Sequence, residues 1–172
     1  MTAPAAAQQP VQYAPPAPVF PQLPPSRPCT AKEVPGVWKL LRVFETPSGA
    51  EMSAFLSNPV QFILFDANST YGKYIGNAEL PPASIRGEIA KQVSGLQQYL
   101  VDASGMVFFY QDRASTDTQA CFIVVTPVEP FAAGQMLLMP PEGTIKGRMV
   151  KVYIRVNEQP PPQPRRGRGR RR

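Results

Sequence analysis

Between residues 37 and 156 apolar side chains recur mostly at every second position, the spacing of strands with a buried face. The first such segment is 37–45, with Val37, Leu41 and Val43 on one face and Trp38, Leu40 and Phe44 on the other, so both faces are partly apolar. The turn Thr46-Pro47-Ser48-Gly49 ends it, and 51–59 reads as a loop or a short helical turn. Segments 60–65 and 70–75 flank Asp66-Ala67-Asn68-Ser69, a turn rich in side chains that bond their own backbone, and the three together predict a hairpin. After Leu80-Pro81-Pro82 the period changes. Ser84 is a candidate N-cap, Ile85, Ile89, Val93 and Leu96 recur at helical spacing, and Gly95 supplies a stop, so one helix is predicted over 84–94. Its single apolar stripe is suited to packing on a sheet. Strands follow at 97–101 and 106–111 around the turn Asp102-Ala103-Ser104-Gly105, then at 120–126 after a polar connection at 112–118, at 135–139, and at 147–156.

The pattern predicts an all-β fold with one helix, built from eight strands joined mainly by short connections. A sheet of that size made of hairpins removes its two sticky edges by closing on itself, so the expected architecture is an eight-stranded antiparallel up-and-down β-barrel. Such a barrel is wide enough for its lumen to be filled by side chains or to hold one small ligand.

Composition sets the limits of this domain. Twenty-two prolines occur in 172 residues, and ten of them lie in the first 35. Proline fixes φ and removes a donor, so 1–33 is expected to be a disordered Pro/Ala-rich leader, 34–156 the barrel domain, and 157–172 a disordered basic tail. The net charge of +6 is equally uneven. Arg165, Arg166, Arg168, Arg170, Arg171 and Arg172 carry it, and the other 12 Lys and Arg balance the 12 Asp and Glu. Charge so dense on an Arg-Gly segment binds polyanions by counterion release, whether RNA, an envelope polyanion or an anionic membrane surface, or it serves only to keep the chain soluble.

No apolar run is long enough for a transmembrane helix, and no ordinary signal peptide is visible. Cys29 and Cys121 read either as one disulfide of an exported protein or as two reduced thiols. A periplasmic or secreted location is expected, with the cytoplasm as the alternative.

Two short motifs point to a family. Gly36-Val37-Trp38 at the start of the first strand resembles the Gly-x-Trp signature of the lipocalin and fatty-acid-binding (calycin) superfamily. Lys151-Val152-Tyr153 resembles the basic-x-aromatic element in the last strand of fatty-acid-binding proteins, with Lys where Arg is usual. In order, spacing and strand number, 34–156 is most similar to small bacterial lipocalin-like domains. The helix after the third strand departs from that pattern, because lipocalins place theirs after the last strand.

The resemblance implies a non-enzymatic protein that holds a small apolar or amphiphilic ligand. Trp38 would then plug the narrow end, with Gly36 beside it and Arg148 or Arg155 covering the ring. If the alternating faces of the first and last strands point inward, Arg42, Lys151 and Tyr153 form a binding site for a carboxylate; a register slip of one residue puts them on the surface. The alternative is a filled barrel that acts through its tail.

Catalytic chemistry finds little support. The chain has no histidine, which removes imidazole triads and imidazole metal sites, and two cysteines are too few for a structural zinc site. No phosphate-cradling loop occurs, and Asp66, Asp102 and Glu142 sit in turns. No enzyme activity, metal or cofactor is expected.

Overall fold

The alternating segments pair in sequence order. The computed structural model describes residues 23–46, 51–52, 60–141 and 148–158; the expected Arg-rich tail and most of the leader lie outside them. Nine strands form one antiparallel sheet: β1 (Ser26–Pro28), β2 (Gly36–Thr46), β3 (Val60–Phe65), β4 (Tyr71–Gly76), β5 (Gln97–Val101), β6 (Met106–Gln111), β7 (Ala114–Val124), β8 (Met136–Met139) and β9 (Arg148–Arg155). Helix α1 (Ile85–Gln92) lies between β4 and β5.

Eight of these strands make a nearly closed up-and-down barrel in the order β4-β3-β2-β9-β8-β7-β6-β5. The seam between its first and last strands, β2 and β9, is fully paired, from Trp38 opposite Arg155 to Thr46 opposite Arg148. What stays open is the seam between β4 and β5. Those strands meet at a single bridge, Thr70 with Gln98, and through the Tyr99 N–H donating to the Ser69 carbonyl at 2.9 Å. Above it the Gln92 carboxamide takes the place of a strand: it accepts from the Ile75 N–H at 3.1 Å and donates to the Ile75 carbonyl at 3.4 Å.

Three apolar clusters hold this arrangement. The lumen is filled at its lower half by Trp38, Ile63, Phe65, Tyr99, Phe109 and their neighbours. On the outside, α1 seats Ile85 and Ile89 against Val37, Phe62 and Leu64. Gly72 makes that approach possible, because a Cβ there would lie 2.5 Å from Ile89 and 2.8 Å from Val93. Farther round the wall, Phe131 packs on Phe44, Val124, Leu137, Val150 and Val152.

Three local expectations are corrected. The polar connection at 112–118 is in fact the start of β7: Asp112 and Arg113 both take positive φ, 49° and 71°, and make a tight hairpin turn without a glycine to announce it. The helix stops at Gln92, with Val93 already extended at ψ 126°. Ser84 stands at its N-cap position, but its hydroxyl donates back to the Pro81 carbonyl at 2.9 Å and caps no N–H. The third concerns the leader. Its last residues belong to the fold, since Ser26–Pro28 pairs with Phe122 to Val124 beyond the end of β6.

That strap continues across one end of the barrel and closes it. Cys29 and Cys121 are joined by a disulfide with Cα atoms 5.4 Å apart, and the Cys29 N–H donates to the Cys121 carbonyl at 3.0 Å. Arg27 pairs with Glu33, and the hydrogen bonds from that guanidinium hold the Glu33 carboxyl down to about 2. Val34, wholly buried, then lies under Trp38. The last described residues also leave at this end, where Glu158 and Asp66 both accept from Arg86 of α1.

Candidate ligand-binding mouth and its flanking groove

The closed end is built around the first motif. The Trp38 indole N–H donates to the Val34 carbonyl at 2.8 Å, and the Arg155 guanidinium lies 5.2 Å from the ring centroid, within cation–π range. Arg155 also donates to the Pro35 carbonyl. Gly36 has φ +139°, and a Cβ there would meet the Arg155 guanidinium at 2.8 Å, so both backbone and space favour glycine. The side chain of Arg148 is not among the described residues.

Above that plug sits an aromatic cluster. Phe65 and Tyr99 meet edge to face at 4.8 Å between centroids, Tyr71 and Phe109 at 5.0 Å, and Phe65 and Phe109 lie 6.0 Å apart. The Tyr99 hydroxyl donates to the Asp66 carbonyl at 2.9 Å, and burial raises its phenol above the ordinary value. The lower lumen is therefore occupied by protein.

The upper lumen differs in kind. Alternation along β4 brings Tyr71, Lys73 and Ile75 to the inner face, and along β9 it brings Lys151 and Tyr153. The Lys73 ammonium stands 5.5 Å from the Phe109 centroid and 5.7 Å from that of Tyr71, over the aromatic cluster. Burial depresses both Lys73 and Lys151, and the charge of Lys151 lowers Lys73 further. Asp117, inward-facing on β7, opposes both shifts; its carboxylate accepts from Gln119 at 2.5 Å. Neither lysine forms an ion pair with a described residue. Tyr153 lies deeper, and burial drives its phenol well above the ordinary range.

Of the expected trio, the fold brings Lys151 and Tyr153 to one face and sends Arg42 to the other. A bulge between Leu40 and Arg42 accounts for this: Leu40 opposes Tyr153, but Arg42 opposes the outward Val152, and Val43 takes the inward place beside Lys151. Leu41, the extra residue, is 43% exposed. The same bulge turns Phe44 outward. The second inward cation is instead Lys73, on β4. Its signal is the alternation Tyr71-x-Lys73-x-Ile75, in which Tyr71 and Lys73 lie directly opposite the inward Phe65 and Ile63.

Two cavities flank the open seam. One, of about 310 Å³, lies inside the mouth and is lined by Tyr71, Lys73, Ile75, Gln92, Gln97 and Gln111. The other, of about 410 Å³, runs outside between α1 and the strands, past Leu64, Gly72, Ile89, Ala90, Val93 and Leu96. Tyr71 and Gln97 border both.

No cluster of His, Cys, Asp and Glu among the described residues is arranged to hold a metal ion. No described helix is long and apolar enough to cross a membrane. Comparison with protein-family models, with curated proteins and with solved structures returns no match. The architecture is consistent with a calycin-like barrel.

Proposed function

We infer that this chain is a non-enzymatic, lipocalin-like binding protein whose ligand is a small amphiphile with an anionic head. The observation that carries the reading is the pair Lys73 and Lys151: two inward lysines share one mouth, the charge of Asp117 offsets them only in part, and neither forms an ion pair with a described residue. Burying a cation without a partner is unfavourable, and an anion arriving between the two relieves both that cost and their mutual repulsion. The filled lower lumen limits what enters. A head group fits the mouth, and a long chain does not continue down the barrel axis. The disulfide is compatible with an oxidising compartment, which supports a periplasmic or secreted setting.

The anionic fluorophore 8-anilinonaphthalene-1-sulfonate tests the reading. Fluorescence titration should show saturable binding to the full chain, and the Lys73→Gln/Lys151→Gln double variant, with its fold verified by circular dichroism, should lose it. Equal affinity in the double variant rejects the lysine site.

A second reading concerns the Arg165 to Arg172 segment, whose six arginines carry the net charge of the chain. In an oxidising compartment its natural counterpart is an anionic lipid or envelope polymer, and RNA is the counterpart in a cytosol.

A further inference from the structure

We propose that the apolar part of the ligand lies outside the barrel, in the groove beneath α1, reached sideways through the seam between β4 and β5. This rests on the lysine-mouth reading and adds where the rest of the amphiphile goes. Four observations converge on it. The aromatic cluster blocks the axial path below Lys73. The wall is unpaired above the Thr70–Gln98 bridge, where only the Gln92 side chain spans from α1 to Ile75. The mouth cavity and the groove share Tyr71 and Gln97 at that gap. Finally, the charges fit one orientation only. Arg86, at the far end of the groove, is ion-paired with Asp66 and Glu158, whereas Lys73 at the near end forms no ion pair with a described residue and is only partly offset by Asp117.

Between Arg86 and Asp66 at one end and Gln97 at the other the groove is mainly apolar, and Val93 and Leu96 remain 37% and 46% exposed beside it. A straight alkyl chain leaving the lysines would cover those side chains. Each cavity alone is at the small end for a ligand site, and the two joined through the seam are of ordinary size. Gln92 acts as a latch, since its carboxamide must yield for the strands to part.

Straight-chain carboxylates from hexanoate to dodecanoate are the probes, titrated by calorimetry into the full chain, into Ala90→Trp, which fills the groove from an exposed helix position, and into Lys73→Gln/Lys151→Gln. In the natural chain affinity should rise about fourfold per added methylene. Ala90→Trp should keep hexanoate binding and flatten that rise to below about twofold per methylene. An undiminished rise in Ala90→Trp overturns the groove and leaves the lysine mouth standing. Unchanged affinity in the double lysine variant, or no binding to the natural chain at any length, removes the mouth reading itself. A measurement independent of the variants uses dodecanoate with a nitroxide at its chain end. Loss of the Ala90 and Gly95 amide signals before those of Val107 and Leu138 is the expected result, and the reverse order places the chain in the lumen and refutes the proposal.

Discussion

Removing the Cys29–Cys121 bridge is the most informative perturbation of the fold. The two residues are 92 positions apart, so the bond closes most of the domain into one loop. In the chain-entropy treatment, a loop of that length restricts the unfolded ensemble by about 4.6 kcal/mol at 25 °C. For a domain of this size the corresponding fall in Tm is about 15 °C. Both sulfurs are buried, so the alanine variant also leaves a small cavity in the native state, and the comparison with the reduced natural chain separates that loss from the loop constraint. Cys29→Ala/Cys121→Ala should therefore unfold at much lower urea, with a steeper urea dependence because its unfolded chain is more expanded. The assay is urea denaturation followed by circular dichroism, on the natural chain with and without reductant and on the double variant. Thiol titration of the unreduced, unfolded natural chain should give no free thiol. A loss below about 1 kcal/mol would show that the strap is held by β1 pairing and the Arg27–Glu33 bridge, and that the loop constraint is not what stabilises the domain.

Trp38→Ala should cost about 3–5 kcal/mol in the same denaturation assay through the cavity at the closed end, and Trp38→Phe about 1–2 kcal/mol through loss of the bond to Val34. Gly72→Ala should loosen α1 by driving a methyl into Ile89 and Val93, seen as faster amide exchange along 85–92 with the strands unaffected. Burial holds Lys73 and Lys151 below the ordinary lysine value of 10.5, so in the folded chain they lose their protons before the unfolded chain does. In that alkaline window the unfolded state binds more protons, stability contributed by these groups rises with pH, and anion binding falls; the double glutamine variant should show neither trend. Truncation after Glu158 should abolish retention on heparin or anionic vesicles and leave fluorophore binding at the mouth intact.

Strand number, helix position and barrel closure were legible because period-two patterning with short turns leaves few other solutions, as at 60–65 and 97–101, whose predicted bounds coincide with β3 and β5. The site was legible only in part. Unbroken alternation puts Arg42 on the face of Trp38 and Leu40, and it points inward only if that alternation holds; a bulge of one residue reverses every assignment beyond it on its strand. The doublet Leu40-Leu41 marks the break, but a segment apolar on both faces does not reveal which residue is the extra one. A lysine in a hairpin arm carries no inward signal of its own; the pairing of β4 with β3 is what shows that Lys73 faces Phe109. The strap at 26–28 carries no periodicity and its proline content favours a tether; it is the disulfide and the pairing with β7 that make it part of the fold.

Because the strap enters and the last described residues leave at the same end, the barrel has a front and a back. Leu23 and Glu158, where the described chain enters and leaves, stand behind the Trp38 plug, on the side away from Lys73 and Lys151. A label or cross-link placed at Leu23 or Glu158 themselves is therefore held clear of the mouth, and reports on the barrel without touching what the lysines face.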